Sequence, residues 1–198
     1  MAVTKKTTTK YPYRRYYRRY YRRYRSLSNQ YFRTKIEGVY TIAYPQNTGD
    51  PVFAEANQNF VTFWTIFASS QYYSSLTTMF GYYKITGVLM EVTPGPTNFQ
   101  GTSTIGSKTL VGIKFGNDGG LSYQRLVADN NSILLGVLTK SRKYVSAMGS
   151  SGWLPMSNTE NSDVGCFAVA SSITGTLTNQ PTWTCRFSVY MIFKKSMI

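Results

Sequence analysis

Thr182-Trp183-Thr184-Cys185-Arg186-Phe187-Ser188-Val189-Tyr190-Met191-Ile192-Phe193-Lys194 decides the fold class. Cys185, Phe187, Val189, Met191 and Phe193 occupy every second position. A repeat of two is the period of a strand with one buried face, whereas a helix would scatter these side chains round its circumference. Working back from there, Asp163–Ser171 is a further strand candidate, and Arg142–Met148 and Gly152–Met156 precede it. Lys108–Phe115 places Val111, Ile113 and Phe115 on one side and Lys114 on the other. Phe80–Val92 is rich in aromatic and β-branched residues and stops at Thr93-Pro94-Gly95-Pro96. Arg33–Tyr44 sets Ile36, Tyr40 and Ile42 against Lys35, Glu37 and Thr41.

Two stretches are less regular. Ser132–Thr139 is a further strand candidate, and Asn59–Ala68 is apolar on both faces, fitting a buried strand or a helix. Short helices are expected at Gln71–Met79 and Leu121–Asp129. About eight strands spaced by Gly, Pro, Ser, Thr and Asn turns predict an all-β sandwich or barrel.

Charge divides the 198-residue chain more sharply than hydropathy does. Residues 1–35 hold Lys5, Lys6, Lys10, Arg14, Arg15, Arg18, Arg19, Arg22, Arg23, Arg25, Arg33 and Lys35, 12 basic groups with no acidic one. The other 163 residues hold the remaining 10 basic and all 8 acidic groups, so +12 of the net +14 lies at the N-terminal end. Such asymmetry points to a polyanionic partner for an arm of residues 1–29, followed by a body of residues 30–198.

The arm has its own period. Tyr13-Arg14-Arg15-Tyr16, Tyr17-Arg18-Arg19-Tyr20 and Tyr21-Arg22-Arg23-Tyr24 are three copies of one tetrapeptide. At helical spacing the six tyrosines fall within an arc of roughly 140°, opposite the arginines. In an extended chain both faces would alternate Tyr and Arg. A helix would dock tyrosines on protein and offer arginines to phosphates. An extended arm would interleave stacking platforms with phosphate contacts, which suits a single strand. The repeat favours the helix, with the extended arm as the alternative. Either way the candidate nucleic-acid-binding residues are Tyr13, Tyr16, Tyr17, Tyr20, Tyr21 and Tyr24 with the 12 basic groups named above.

Catalytic chemistry is poorly provided for. The chain has no histidine, the commonest general base and metal ligand, and its carboxylates are scattered singly. No catalytic residue, metal ligand or cofactor is assigned, and the protein is not expected to be an enzyme. Cys166 and Cys185 are too few for a disulfide framework. They would approach only if their strands formed a hairpin, and two reduced cysteines are preferred. No apolar run is long enough for a membrane span, and no apolar stretch of the secretory type follows the basic end.

Three stretches resemble the capsid proteins of circoviruses and related small circular single-stranded DNA viruses. Asn29-Gln30-Tyr31-Phe32-Arg33-Thr34-Lys35 is similar to that family's junction between basic arm and first strand. Phe80–Pro94 is similar to its fourth strand, and Val164–Ala170 with Thr184–Lys194 resembles its last two. The chain is shorter than a circovirus capsid protein, and its arm is Tyr–Arg repetitive where family arms are denser in arginine. The resemblance implies a single eight-stranded jelly roll of two packed antiparallel sheets. About sixty copies would form an icosahedral shell round single-stranded DNA, with arms inward and inter-strand loops outward. It also implies a virion protein that passes through the host nucleus by an import receptor and meets a cell-surface receptor. The loops Pro45–Gln58, Thr93–Ser107 and Gly149–Ser162 are the outward-facing candidates. A jelly-roll coat protein of a small RNA virus is the alternative in the same architecture. A cellular nucleic-acid-binding protein with a β domain is the alternative outside it.

Overall fold

The computed structural model describes residues 31–44, 50–95, 109–116, 122–136, 139–147, 152–157, 164–172 and 181–195. The arm and its Tyr/Arg repeat, with the helix expected there, lie outside the described residues, as do parts of the three candidate outer loops. In chain order the elements are β1 (Tyr31–Ala43), β2 (Val52–Phe53), β3 (Phe60–Thr62), α1 (Phe63–Ala68), α2 (Tyr73–Met79), β4 (Tyr82–Pro94) and β5 (Thr109–Phe115). Then follow α3 (Tyr123–Ala128), β6 (Ser132–Leu134), β7 (Ser141–Ser146), β8 (Leu154–Pro155), β9 (Gly165–Ser171) and β10 (Trp183–Lys194).

Two antiparallel sheets result. One runs β2-β1-β10-β4-β7, with β8 also on β4, and the other runs β3-β9-β5-β6. The strands β2 and β8 are two residues each, so the expected count of eight is met by the rest. Numbered among those eight, the sheets read 1-8-3-6 and 2-7-4-5. That order is the wrapping of a jelly roll, in which each sheet takes strands from both ends of the chain.

The alternating side chains of β10 meet those of β9 in the core. Phe167 and Phe187 stack with ring centroids 3.9 Å apart, joining the two sheets, and Phe53 and Tyr40 pack round Phe187. Ile36, Tyr40 and Ile42 of β1 are buried, as their spacing requires. Each fully buried side chain of this size contributes roughly 1.5–3 kcal/mol of transfer free energy. Trp183 satisfies its indole by donating to the Gly136 carbonyl at 2.9 Å.

The ambiguous stretch Asn59–Ala68 is both strand and helix in succession. Thr62 ends β3 and caps α1, its side chain accepting from the Thr65 amide at 3.0 Å. The cysteines do not form a hairpin. Cys166 lies on β9 and Cys185 on β10, in different sheets, and both are free. Burial pushes the Cys166 thiol up to about 11 and raises Cys185 as well, so both are protonated at neutral pH.

One irregularity re-aims the first third of β4. The pairing of β10 with β4 passes from Tyr190↔Gly87 to Met191↔Ile85, leaving Thr86 as an extra residue. Its hydroxyl donates to the Tyr190 carbonyl at 3.2 Å. This bulge reverses the alternation of β4. Tyr83 and Ile85 point into the core before it, and Val88, Met90 and Val92 do so after it.

Candidate nucleic-acid interface

Of the residues expected to touch nucleic acid, the described structure places Arg33 and Lys35; the arm residues from Lys5 to Arg25 lie outside it. Arg33 and Lys35 sit in the first half of β1 and are exposed. They share the outer face of the larger sheet with Tyr31, Glu37 and Val39, because the intervening Ile36 and Tyr40 face the core.

Register places other side chains beside them. Arg33 pairs with Ile192, which pairs with Lys84. Tyr31 pairs with Lys194, which pairs with Tyr82. Lys35 lies opposite Tyr190, and Val39 opposite Arg186, which in turn faces Glu91 and then Arg142. Tyr144 of β7 closes the face. Its ring meets Tyr190 edge-on at 5.9 Å and lies over Gly87, where an added Cβ would collide with it.

Six basic groups and two carboxylates therefore share this face. Both carboxylates have partners. Lys35 Nζ lies 2.7 Å from Glu37 Oε1, and Arg142 Nε lies 3.4 Å from Glu91 Oε1. The Lys35 ammonium hydrogen-bonds the Glu37 carboxyl and holds it below the usual carboxylate range, while the same contact raises Lys35. Ser188 also donates to Glu37, at 3.2 Å. Arg33, Lys84, Arg186 and Lys194 form no ion pair among the described residues.

The sequence singled out Arg33 and Lys35 by their nearness to the arm and did not single out Lys84, Arg142, Arg186 and Lys194, which the registers place on the same face. A usable signal was present in β10. Arg186 and Lys194 occupy the phase opposite to Cys185, Phe187 and Phe193 and therefore face outward. For Lys84 no such signal existed, because the bulge at Thr86 breaks the phase.

The other carboxylates described on the body lie singly. Both oxygens of Glu55 accept from the Thr41 amide, at 3.0 and 2.7 Å, fixing the end of β1. A cleft of about 690 Å³ between Asp50–Phe60 and α3 is lined, among the described residues, by one carboxylate, Asp50, and by no basic group. A single carboxyl is half of what a hydrolytic pair needs. Among the described residues, no three Cys, Asp or Glu side chains gather as metal ligands.

No protein-family model matches the chain, and no curated protein matches it in sequence. Solved structures match it in fold. A T=1 subviral particle of a Penaeus vannamei nodavirus capsid protein deletion mutant aligns with a TM-score of 0.58 and 10% identity, over 83% of this chain and 97% of that one. Mud crab tombus-like virus aligns with a TM-score of 0.57 and 10% identity, over 85% and 91%. The 60-mer BFDV capsid protein aligns with a TM-score of 0.52 and 11% identity, over 84% and 94%. The fold is that of viral capsid jelly rolls. These neighbours are structural proteins of shells, not enzymes, and they include nodavirus and tombus-like capsids beside that of BFDV. The likeness therefore does not single out the circovirus branch that the sequence motifs resemble.

Proposed function

We propose that the chain is a viral capsid protein that self-assembles into a small icosahedral shell and packages single-stranded nucleic acid through its Tyr/Arg arm. The observation that carries this reading is a jelly roll, alike over most of its length to capsid subunits, preceded by a near-pure block of positive charge. The arm would face the shell interior. Twelve charges on each of about sixty subunits would set roughly 720 positive groups against packaged phosphates. Motif order along the chain favours single-stranded DNA, with assembly in the host nucleus. A coat protein of a small RNA virus is supported equally by the likeness to the nodavirus and tombus-like shells.

Expression of the full chain should give closed particles by electron microscopy and sedimentation; a soluble monomer would overturn the capsid reading. Nucleic acid extracted from the particles should be digested by a nuclease specific for DNA, and digestion by ribonuclease alone would establish the RNA coat instead. Deleting residues 1–28 should leave shells that have lost their nucleic acid, and unchanged packaging would refute the role of the arm.

A further inference from the structure

The outer faces of the two sheets are finished differently. That of the smaller sheet carries Ala168, Ala170, Leu110 and Gly112, and α3 covers it through Leu126. That of the larger sheet carries no helix among the described residues, and apart from Val39, Leu89 and Ile192 its large side chains are aromatic or charged. Tyr31, Tyr82, Tyr144 and Tyr190 lie among Arg33, Lys35, Lys84, Arg142, Arg186 and Lys194, which are the residue types of the arm.

We propose that this bare face is a second binding surface for single-stranded nucleic acid, continuous with the arm. The inference rests on the packaging reading and extends it from the arm to the shell wall. Three observations carry it. The carboxylates described on the face, Glu37 and Glu91, are engaged by Lys35 and Arg142, with Arg186 opposite Glu91 in register, which leaves Arg33, Lys84 and Lys194 without an acidic partner among the described residues. Tyrosines stand beside those charges, with Tyr31, Tyr82 and Tyr144 exposed at 37%, 39% and 56%. An exposed ring beside a free cation suits base stacking combined with phosphate binding. Finally, the arm leads into β1, where Tyr31, Arg33 and Lys35 follow one another on this same face. A strand held by the arm is thereby delivered onto the sheet.

The dimensions fit. From Tyr31 to Val39 the face runs about 27 Å along the strand, and four strands at about 4.8 Å give it a width of about 15 Å. That is room for several nucleotides. A solvated charged face would need no tyrosines, and an interface between subunits would leave Arg33, Lys84 and Lys194, which have no acidic partner among the described residues, facing protein.

The test uses the full chain and an end-labelled oligothymidylate, with binding followed by fluorescence anisotropy over a salt series. Arg33→Ala/Lys84→Ala removes two charges from the face, and Arg125→Ala/Lys140→Ala removes two from elsewhere on the body. The face pair should flatten the dependence of log K on log salt by about 1.4, at about 0.7 for each phosphate of a single strand that is no longer neutralised. The control pair should leave the slope as in the native chain. If the two pairs behave alike, the face is not a binding surface.

A third variant replaces Arg14, Arg15, Arg18, Arg19, Arg22 and Arg23 with serine. It should keep weak binding that the face pair then abolishes. Wild-type binding by this arm variant would defeat the packaging reading itself, whereas complete loss in it with a silent face pair would defeat only the binding surface on the wall. Photo-crosslinking of the unaltered chain to an iodouracil-substituted strand gives a readout that does not depend on any variant folding. Crosslinks at Tyr31, Tyr82, Tyr144 or Tyr190 are expected, and crosslinks confined to residues 13–24 would overturn the proposal.

Discussion

The two sheets share one core, yet their outer faces were built for different neighbours. On the smaller sheet the outward residues of β5 and β9 are small or aliphatic apart from Lys114, and α3 approaches closely enough that a Cβ on Gly112 would stand 2.8 Å from Leu126. On the larger sheet most outward residues are charged or aromatic, and Tyr31, Tyr82 and Tyr144 lie open, while Leu89 and Ser188 beneath them are buried. A face that buries itself is read as stability, and one that spends tyrosine and arginine on solvent is read as binding. Substitutions should therefore divide along the same line.

The largest effect should come from the core the sheets share. Phe167→Ala removes one ring of the inter-sheet stack and is expected to cost about 3–5 kcal/mol in a denaturant titration. Leu126→Ala uncovers the smaller sheet and should cost about 2–3 kcal/mol, at the lower end because its cluster is small. Thr62→Ala removes the cap that turns β3 into α1 and should cost about 1 kcal/mol, visible as a lowered Tm. Tyr144→Ala, on the bare face, should cost only about 0.5–1 kcal/mol, mainly its edge packing on Tyr190. If Tyr144→Ala proved as damaging as Leu126→Ala, the contrast between the faces would be lost.

The smallest effect belongs to the Lys35–Glu37 pair. Both side chains are exposed, so Glu37→Gln should change stability by less than about 0.5 kcal/mol and less still in high salt. Because the Glu37 carboxyl is held below its ordinary value, the contribution is present above that value and fades as pH falls through the lowered one. Lys35 is raised, so at the alkaline end the contribution fades as pH rises through the raised value. Melting curves of the native chain and Glu37→Gln should converge at both extremes.

Much of this fold was legible one strand at a time. The alternation in β1 and β10 located their buried faces, and both short helices lie within their expected stretches. Three features were not legible, each for a physical reason. Thr62 changes the local conformation in the middle of an apolar run, and periodicity cannot mark a switch inside a pattern apolar on both sides. Thr86 inserts one residue against β10, and that is a property of two strands together. The apposition of Arg33 with Lys84 and of Tyr31 with Lys194 depends on registers between segments distant in the chain. The candidate site was thus visible only where it touches the arm. The rest is made by pairing.

The pairing of β1 with β10 has a consequence for the order of events during synthesis. The strand at the root of the arm has its longest partner at residues 183–194, and β10 also separates it from β4. β1 is therefore made well before the strand it pairs with along most of its length. Until residue 194 has been made, β1 cannot complete its pairing. A chain that stops short of β10 would lack the strand that joins β1 to β4, so the larger sheet would fall into separate pieces.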